Sequence, residues 1–421
     1  MCPNKRRFSM RGRSLFLLSA LVFLFIVLSL PAQEKDEELW KKARKIHFDA
    51  IVIDAHAHPM TSQGMTPDAV PDNLDLGKKT EYSCVDFISM KEGGLDAAFF
   101  SIPLLNNLNR GNPTKRILDD IVLMRSHIDR YSGLAEIALT PYDIGRIHKS
   151  GKRAVLFGIE TRDFLKGHTV MLEAYYKMGV RLITVAHTKI DPIADTDSED
   201  AGESGLSGYG RDVVREMNRL GMLIDISHAP DNLQLSIIEE SKTPVIASHS
   251  CVRALNDSLR EMPDGILKKL AKKGGAIMIT FNSAHLSAEY AERQSEAFGK
   301  FNAERRNIEE KFKDDTEELA RQFKILRDRI FTEGVGIEFL IDHIDHAVKT
   351  AGIDHVGLGS DFISGVGNAI GLEKASGYPL ITYHLLKRGY EAEDIKKILG
   401  GNLLRVFNDV HRSRSGAGTR G

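Results

Sequence analysis

The chain has 421 residues, 42% hydrophobic and 27% charged, with a formal net charge of −1. That composition excludes a disordered chain and leaves room for one large domain or two modest ones. The near-neutral balance offers no basic footprint for nucleic acid.

Residues 1–32 differ from the rest. Lys5, Arg6, Arg7, Arg11 and Arg13 precede an apolar run over 15–30 that closes on Pro31, Ala32 and Gln33. This is the layout of a secretory signal: a basic segment, an apolar segment and a small residue where a peptidase cuts. The run is almost long enough to span a bilayer, so membrane attachment through residues 14–30 as an uncleaved anchor stays open beside cleavage. Either way the folded part is expected outside the cytoplasm, periplasmic or extracellular. Losing the five basic residues takes the net charge from −1 to −6. Beyond the leader only Cys84 and Cys251 remain, which allows one disulfide but no framework.

The first expected strand is "AIVID" (50–54), running into His56 and His58. In extended backbone, residues i and i+2 point to the same side, so both imidazoles reach one point. Further strands are expected at 95–102, 154–160, 180–187, 222–228, 244–249, 275–281 and 355–361. Amphipathic stretches such as "GRDVVREMNRLG" and "IEFLIDHIDHAVKTAG" lie between them. Strand and helix alternating eight times predict an α/β fold, a (β/α)8 TIM-type barrel over residues 33–412. An open doubly wound sheet is the competitor, but no Gly-rich phosphate fingerprint follows the first strand. Residues 286–333, between strands seven and eight, are too long for a loop. Ile308, Phe312, Leu319, Phe323, Leu326 and Ile330 recur there at helical spacing, which predicts a helical insertion serving as a lid or homodimer contact, or simply a solvated hairpin. Residues 413–421 read as a disordered tail.

At the C-terminal ends of these strands stand His56 and His58, Glu160, His187, His228, His249 and Asp361. A barrel brings those ends to one rim, so the side chains converge. Imidazoles with carboxylates favour Zn²⁺, with Mn²⁺ or Fe²⁺ as alternatives, and Glu160 is the candidate bridge between two ions. A water held between two such ions loses a proton readily and serves as a nucleophile. His127, His148, His168, His343, His346 and His355 fall in helices, loops or strand openings and are read as surface or capping residues.

The chain resembles the membrane (renal) dipeptidases, peptidase family M19 of the amidohydrolase superfamily. The resemblance rests on "GLSGYGRDVVREMNRLGMLIDISHAPD" (205–231), "TPVIASHS" (243–250), "REMPDGIL" (260–267) and "IDHIDHAVKTAGIDHVGLGSDF" (341–362). It is extended by "GVRLITVAHT" (179–188) and "GNLLRVF" (401–407). It implies a zinc-dependent dipeptidase with two Zn²⁺, one held by His56, His58 and Glu160, the other by Glu160, His228 and His249. His187 is implied to contact the substrate carbonyl, Arg260 to bind the terminal carboxylate, and Asp361 to carry a proton to the leaving amine. A D-residue at the C-terminal position of the dipeptide is implied to be tolerated.

The sequence also departs from that family. His58 stands where mammalian members have an aspartate, "TRDFL" (161–165) replaces a Gly-rich step, and Asn282 or His285 occupies the region of a family tyrosine. No C-terminal apolar tail signals a lipid anchor. Two rivals stay open: another amidohydrolase reaction, on an N-acyl amino acid or a lactone, and a non-catalytic surface protein that binds a partner and no metal.

Overall fold

The computed structural model describes residues 36–62, 74–80, 83–103, 113–160, 165, 168–186, 205–330, 334–364 and 367–414. The leader, His187, residues 161–164 and the tail from 415 lie outside them. Among the described residues ten strands follow one another: β1 Ile53–Ser62, β2 Ala97–Pro103, β3 Ala135–Ile137, β4 Arg153–Glu160, β5 Val180–Thr184, β6 Leu223–Asp225, β7 Ile246–Ser250, β8 Ala276–Ile279, β9 Val356–Leu358 and β10 Phe362–Ser364. They form one sheet in the order β10-β1-β2-β4-β5-β6-β7-β8-β9, with β3 added beside β4. Every pairing is parallel. Because β9 and β10 are separated only by Gly359, Ser360 and Asp361, pairing of β9 with β8 and of β10 with β1 curls the sheet round on itself. The result is a TIM-like α/β barrel.

The strands are buried on both faces and their residues sort by period two. Ile53, Ala55, Ala97, Phe99, Ala154, Leu156, Leu182, Leu223, Ile246, Ala276 and Met278 make an inner cluster. Their alternates, among them Ala98, Phe100, Val155, Phe157, Ile183, Ile224, Ala247 and Ile277, pack outward against the helices. Helix Asn402–Arg412 plugs the inner cluster with Leu403, Val406, Phe407 and Val410, Phe407 meeting Phe99 edge-on at 6.0 Å. Continuing the inner alternation toward the C-terminal ends gives Ser101, Glu160, Thr184, Asp225 and Ser248. The barrel interior is thus apolar at its plugged end and polar at the other.

Strand β1 breaks the alternation. Ile53 and Asp54 pair with Ala97 and Ala98, but the next partner of β2, Phe100, is Ala57. Three steps on β1 therefore match two on β2, a bulge of one residue. Beyond it the faces exchange: Ala57 packs in the outer cluster, and His56 and His58 turn inward.

Several expected boundaries are corrected. The first strand covers 53–62 rather than 50–54, because Ala50 caps helix Glu37–Asp49. The strand expected at 355–361 is split, because the amide and hydroxyl of Ser360 bond to Asp54 across the barrel seam. Strand β3, only three residues long, was not expected. Cys84 and Cys251 are buried and free, so the disulfide left open is not formed. Between β8 and β9 lie helices Ser283–Leu286, Ala288–Phe312, Thr316–Ile330 and Ile337–Ala351. Leu319, Ala320 and Phe323 pack there with Ile308 and Phe312 in a small cluster separate from the barrel. No helix among the described residues is long and apolar enough to cross a membrane.

Candidate metal centre

Glu160, the last residue of β4, is buried and stands between two pairs of histidines. Its Oε2 lies 3.4 Å from His56 Nε2 and 3.2 Å from His58 Nε2, and those two nitrogens are 3.0 Å apart. Its Oε1 lies 3.0 Å from His228 Nε2 and 3.3 Å from His249 Nε2, themselves 2.9 Å apart. Each carboxylate oxygen thus closes one triangle of donor atoms. A tetrahedral ion with ligands near 2.0–2.1 Å has donor-to-donor edges of about 3.3 Å, so both triangles have the size of a metal-binding face.

The hydrogen-bond pattern makes the same point. A backbone carbonyl only accepts, so His58 Nδ1, 3.2 Å from Ser101 O, carries a hydrogen, which leaves Nε2 as the ring atom directed at Glu160. His56 Nδ1 faces the hydroxyls of Ser101 and Ser248, both at 3.1 Å, and His249 Nδ1 faces Ser248 Oγ at 2.8 Å. Outward Nδ1 partners with inward Nε2 atoms are the arrangement of metal-bound imidazoles. The donor set, four imidazoles and one carboxylate, suits Zn²⁺ and tolerates Mn²⁺ or Fe²⁺.

Asp361, in the gap between β9 and β10, puts Oδ1 3.4 Å from His58 Nε2. Burial works against charge at both groups. It is outweighed: hydrogen bonds donated by His58 to Asp361 and Glu160 carry its imidazole up to about 10, placing on Nε2 a proton that a bound cation would displace, and His58 with its neighbours holds Asp361 well below the carboxylate range. Burial and the charge of Arg260 push His228 well down, and burial with the adjacent His56 brings His249 down to about 4. Among the described residues, His228 (φ 66°) and Asp361 (φ 55°) are the two non-glycine residues with left-handed backbone. Such strain costs on the order of 1–3 kcal/mol and gathers where the fold fixes a functional side chain.

The sequence profile of the membrane dipeptidases, peptidase family M19, matches residues 40–419. The chain belongs to this family. It is 33% identical over 291 residues to Dipeptidase tcpJ of Claviceps purpurea, covering 69% of this chain and 59% of that protein. It is 29% identical over 381 residues to Dipeptidase verJ of Clonostachys rogersoniana, covering 88% and 86%. The chain therefore spans about three fifths of the first relative's length and most of the second's. In structure it is similar to the probable dipeptidase PvdM of Pseudomonas aeruginosa, with a TM-score of 0.70 and 23% identity over 90% of this chain and all of that one.

In this membrane dipeptidase family member, Arg260 sits directly behind His249. Its Nη2 donates to His249 O at 2.7 Å and its Nη1 to Ser250 Oγ at 3.0 Å. The loop bearing it is clamped by Arg253, which donates to the carbonyls of Ser258 and Glu261 and pairs through both terminal nitrogens with Asp231 at 2.7 Å. Buried Glu261 ties the same loop to Cys251 N and to His285 Nδ1, both at 2.6 Å. Asn282 caps helix Ser283–Leu286 instead of facing the histidines. His187 lies outside the described residues.

Sequence reasoning passed over Asp225, Ser248 and Ser101. Asp225 is wholly buried and bonds to the hydroxyls of Thr184 and Ser248, both at 2.6 Å, beneath His249. The available signal was a charged residue inside the apolar run "MLIDIS", since a buried carboxylate without partners is prohibitively costly.

Proposed function

We propose that this chain is a two-metal dipeptidase. The observation that carries this reading is the division of Glu160, one oxygen facing His56 and His58 and the other facing His228 and His249. His56, His58 and Glu160 would hold one ion, and Glu160, His228 and His249 the other, with Zn²⁺ the ion this donor set suits best. Two ions held there would supply Lewis-acid polarisation of the peptide carbonyl and a water acidic enough to react near neutral pH.

The remaining groups handle binding and protons. Arg260 offers a forked donor to the free carboxylate of the C-terminal residue, which confines the enzyme to short substrates. Asp361, kept ionised, accepts a proton at Oδ1 from the attacking water and returns it to the leaving amine. His187 orients the carbonyl, and a D-residue at the second position is accepted. Export to the periplasm or exterior, with residues 14–30 removed or kept as an anchor, is part of the same proposal. So is a lid or homodimer role for helices Ala288–Phe312 and Thr316–Ile330.

The decisive experiment is turnover of L,L- and L,D-dipeptides, their C-terminal amides, N-acyl amino acids and lactones, with elemental analysis before and after chelation. Dipeptides with a free carboxylate should be hydrolysed by protein holding two ions per chain. Turnover of lactones alone would sink the dipeptidase reading, and protein unable to take up any divalent ion would sink the enzyme.

A further inference from the structure

Ser248 stands behind two of these histidines at once. Its Oγ is 3.1 Å from His56 Nδ1, 2.8 Å from His249 Nδ1 and 2.6 Å from Asp225 Oδ2. His56 belongs to one donor triangle and His249 to the other, and their rings lie close together, centroids 3.7 Å apart and planes inclined by 32°. A serine hydroxyl has one proton to give and two lone pairs to offer. Asp225 Oδ1 already accepts the amides of Ser227 and Ser248 at 2.9 and 2.7 Å, so the hydroxyl's proton goes to Oδ2. Its two lone pairs then receive two N–H groups, one from each ring. With both hydrogens on Nδ1, both Nε2 atoms are bare and aimed at Glu160.

We propose that Ser248 is a positioning residue shared by the two ions: one hydroxyl, oriented by Asp225, fixes the tautomer and the tilt of a ligand from each. This rests on the two-metal reading above. It makes the two halves of the centre interdependent, because a proton moved at Ser248 is felt at both rings. It also predicts an asymmetry. His56 Nδ1 keeps Ser101 Oγ at 3.1 Å if Ser248 is lost, whereas among the described residues His249 Nδ1 is left with Asp225 Oδ2, 4.0 Å away. The ion held with His228 and His249 therefore depends more on Ser248.

The test is calorimetric titration of metal-free protein with Zn²⁺, with native mass spectrometry for stoichiometry, on wild type, Ser248→Ala and Asp225→Asn. An asparagine must keep its oxygen toward the amides of Ser227 and Ser248, so its NH₂ faces Ser248. The hydroxyl then gives its proton to one imidazole and forces a hydrogen onto that ring's Nε2. Wild type should take two ions. Each variant should take one ion normally and bind the other 10- to 100-fold more weakly, the usual effect of losing the partner behind a ligand. Thr184→Val removes the other hydroxyl on Asp225, equally buried, and should leave both affinities as in wild type.

Wild-type affinities at both sites in Ser248→Ala and Asp225→Asn would overturn the role of Ser248 and leave the two-metal reading standing, as would an equal loss in Thr184→Val. A wild type that takes up fewer than two ions would overturn both. Metal-free melting curves keep the comparison among folded proteins, and the change of a single atom in Asp225→Asn gives a second route should Ser248→Ala not fold.

Discussion

Asp54 and Asp225 are bonded alike on different strands. Each takes on Oδ1 the amide two residues ahead, His56 for one and Ser227 for the other, at 3.0 and 2.9 Å. Each also accepts the amide and the hydroxyl of a serine on the adjoining segment, Ser360 for Asp54 and Ser248 for Asp225. A third side chain completes Oδ2: Tyr378 from the outer layer for Asp54, Thr184 from inside the barrel for Asp225. The carboxylates bond the strands where the sheet parts around the histidines.

Asp54→Ala is therefore expected to destabilise the protein. It strands the amides of His56 and Ser360 and the Tyr378 hydroxyl in a dry interior, and a buried donor left unpaired costs about 1–3 kcal/mol. Urea unfolding should show a loss of several kcal/mol, with a smaller loss for Asp54→Asn. An unchanged midpoint in Asp54→Ala would contradict the bonding described.

Asp361→Asn is expected to keep the fold and both ions and to lose turnover. Asparagine tolerates the left-handed backbone at this position, so the substitution removes the proton acceptor with little strain. Loss of a positioned acid–base group costs about 10²- to 10⁴-fold. Steady-state kinetics with parallel metal analysis checks this, and undiminished kcat at full metal content would remove Asp361 from the proton path.

Arg260→Met is expected to lower kcat/KM for dipeptides about 10- to 100-fold, the worth of roughly 1.5–3 kcal/mol in a charge-assisted hydrogen bond. The same variant should treat a dipeptide and its C-terminal amide nearly alike. A preference for the free acid that persists in the variant would place carboxylate recognition elsewhere.

His47 gives the protein a pH dependence remote from the metal centre. Burial, only partly countered by the bond to Gly93 O, lowers it from 6.5 to about 4. The folded ring stays neutral where the unfolded one is charged, so the unfolded state binds more protons between those values. Stability is full above pH 6.5 and falls as pH drops toward 4, by about 2 kcal/mol at pH 5. Urea midpoints at pH 7 and 5 should therefore diverge more in wild type than in His47→Gln; equal drops would refute the assignment.

Much of this architecture was legible in the sequence. Apolar runs ending in His228, His249 or Glu160 mark parallel strands whose ends share a rim, because burial on both faces demands apolar runs and the closed sheet aligns their ends. The pairing of His56 with His58 also followed from period two. The bulge that decides which way the pair faces did not, since an inserted residue leaves no mark in composition. Asp54 and Asp225 were hidden for a different reason: the serines that satisfy them come from other segments, Ser360 being 306 positions away from Asp54. The split between β9 and β10 is a consequence of that same distant bond.

The extra residue in β1 lets one strand do two jobs on the same side. Ile53 and Ala55 fill the inner apolar cluster ahead of it, and His56 and His58 face the same interior beyond it, so greasy packing and two donor nitrogens share six positions. A strand of these same residues paired without the bulge would turn both imidazoles toward the helical coat and offer Ala57 to the cavity.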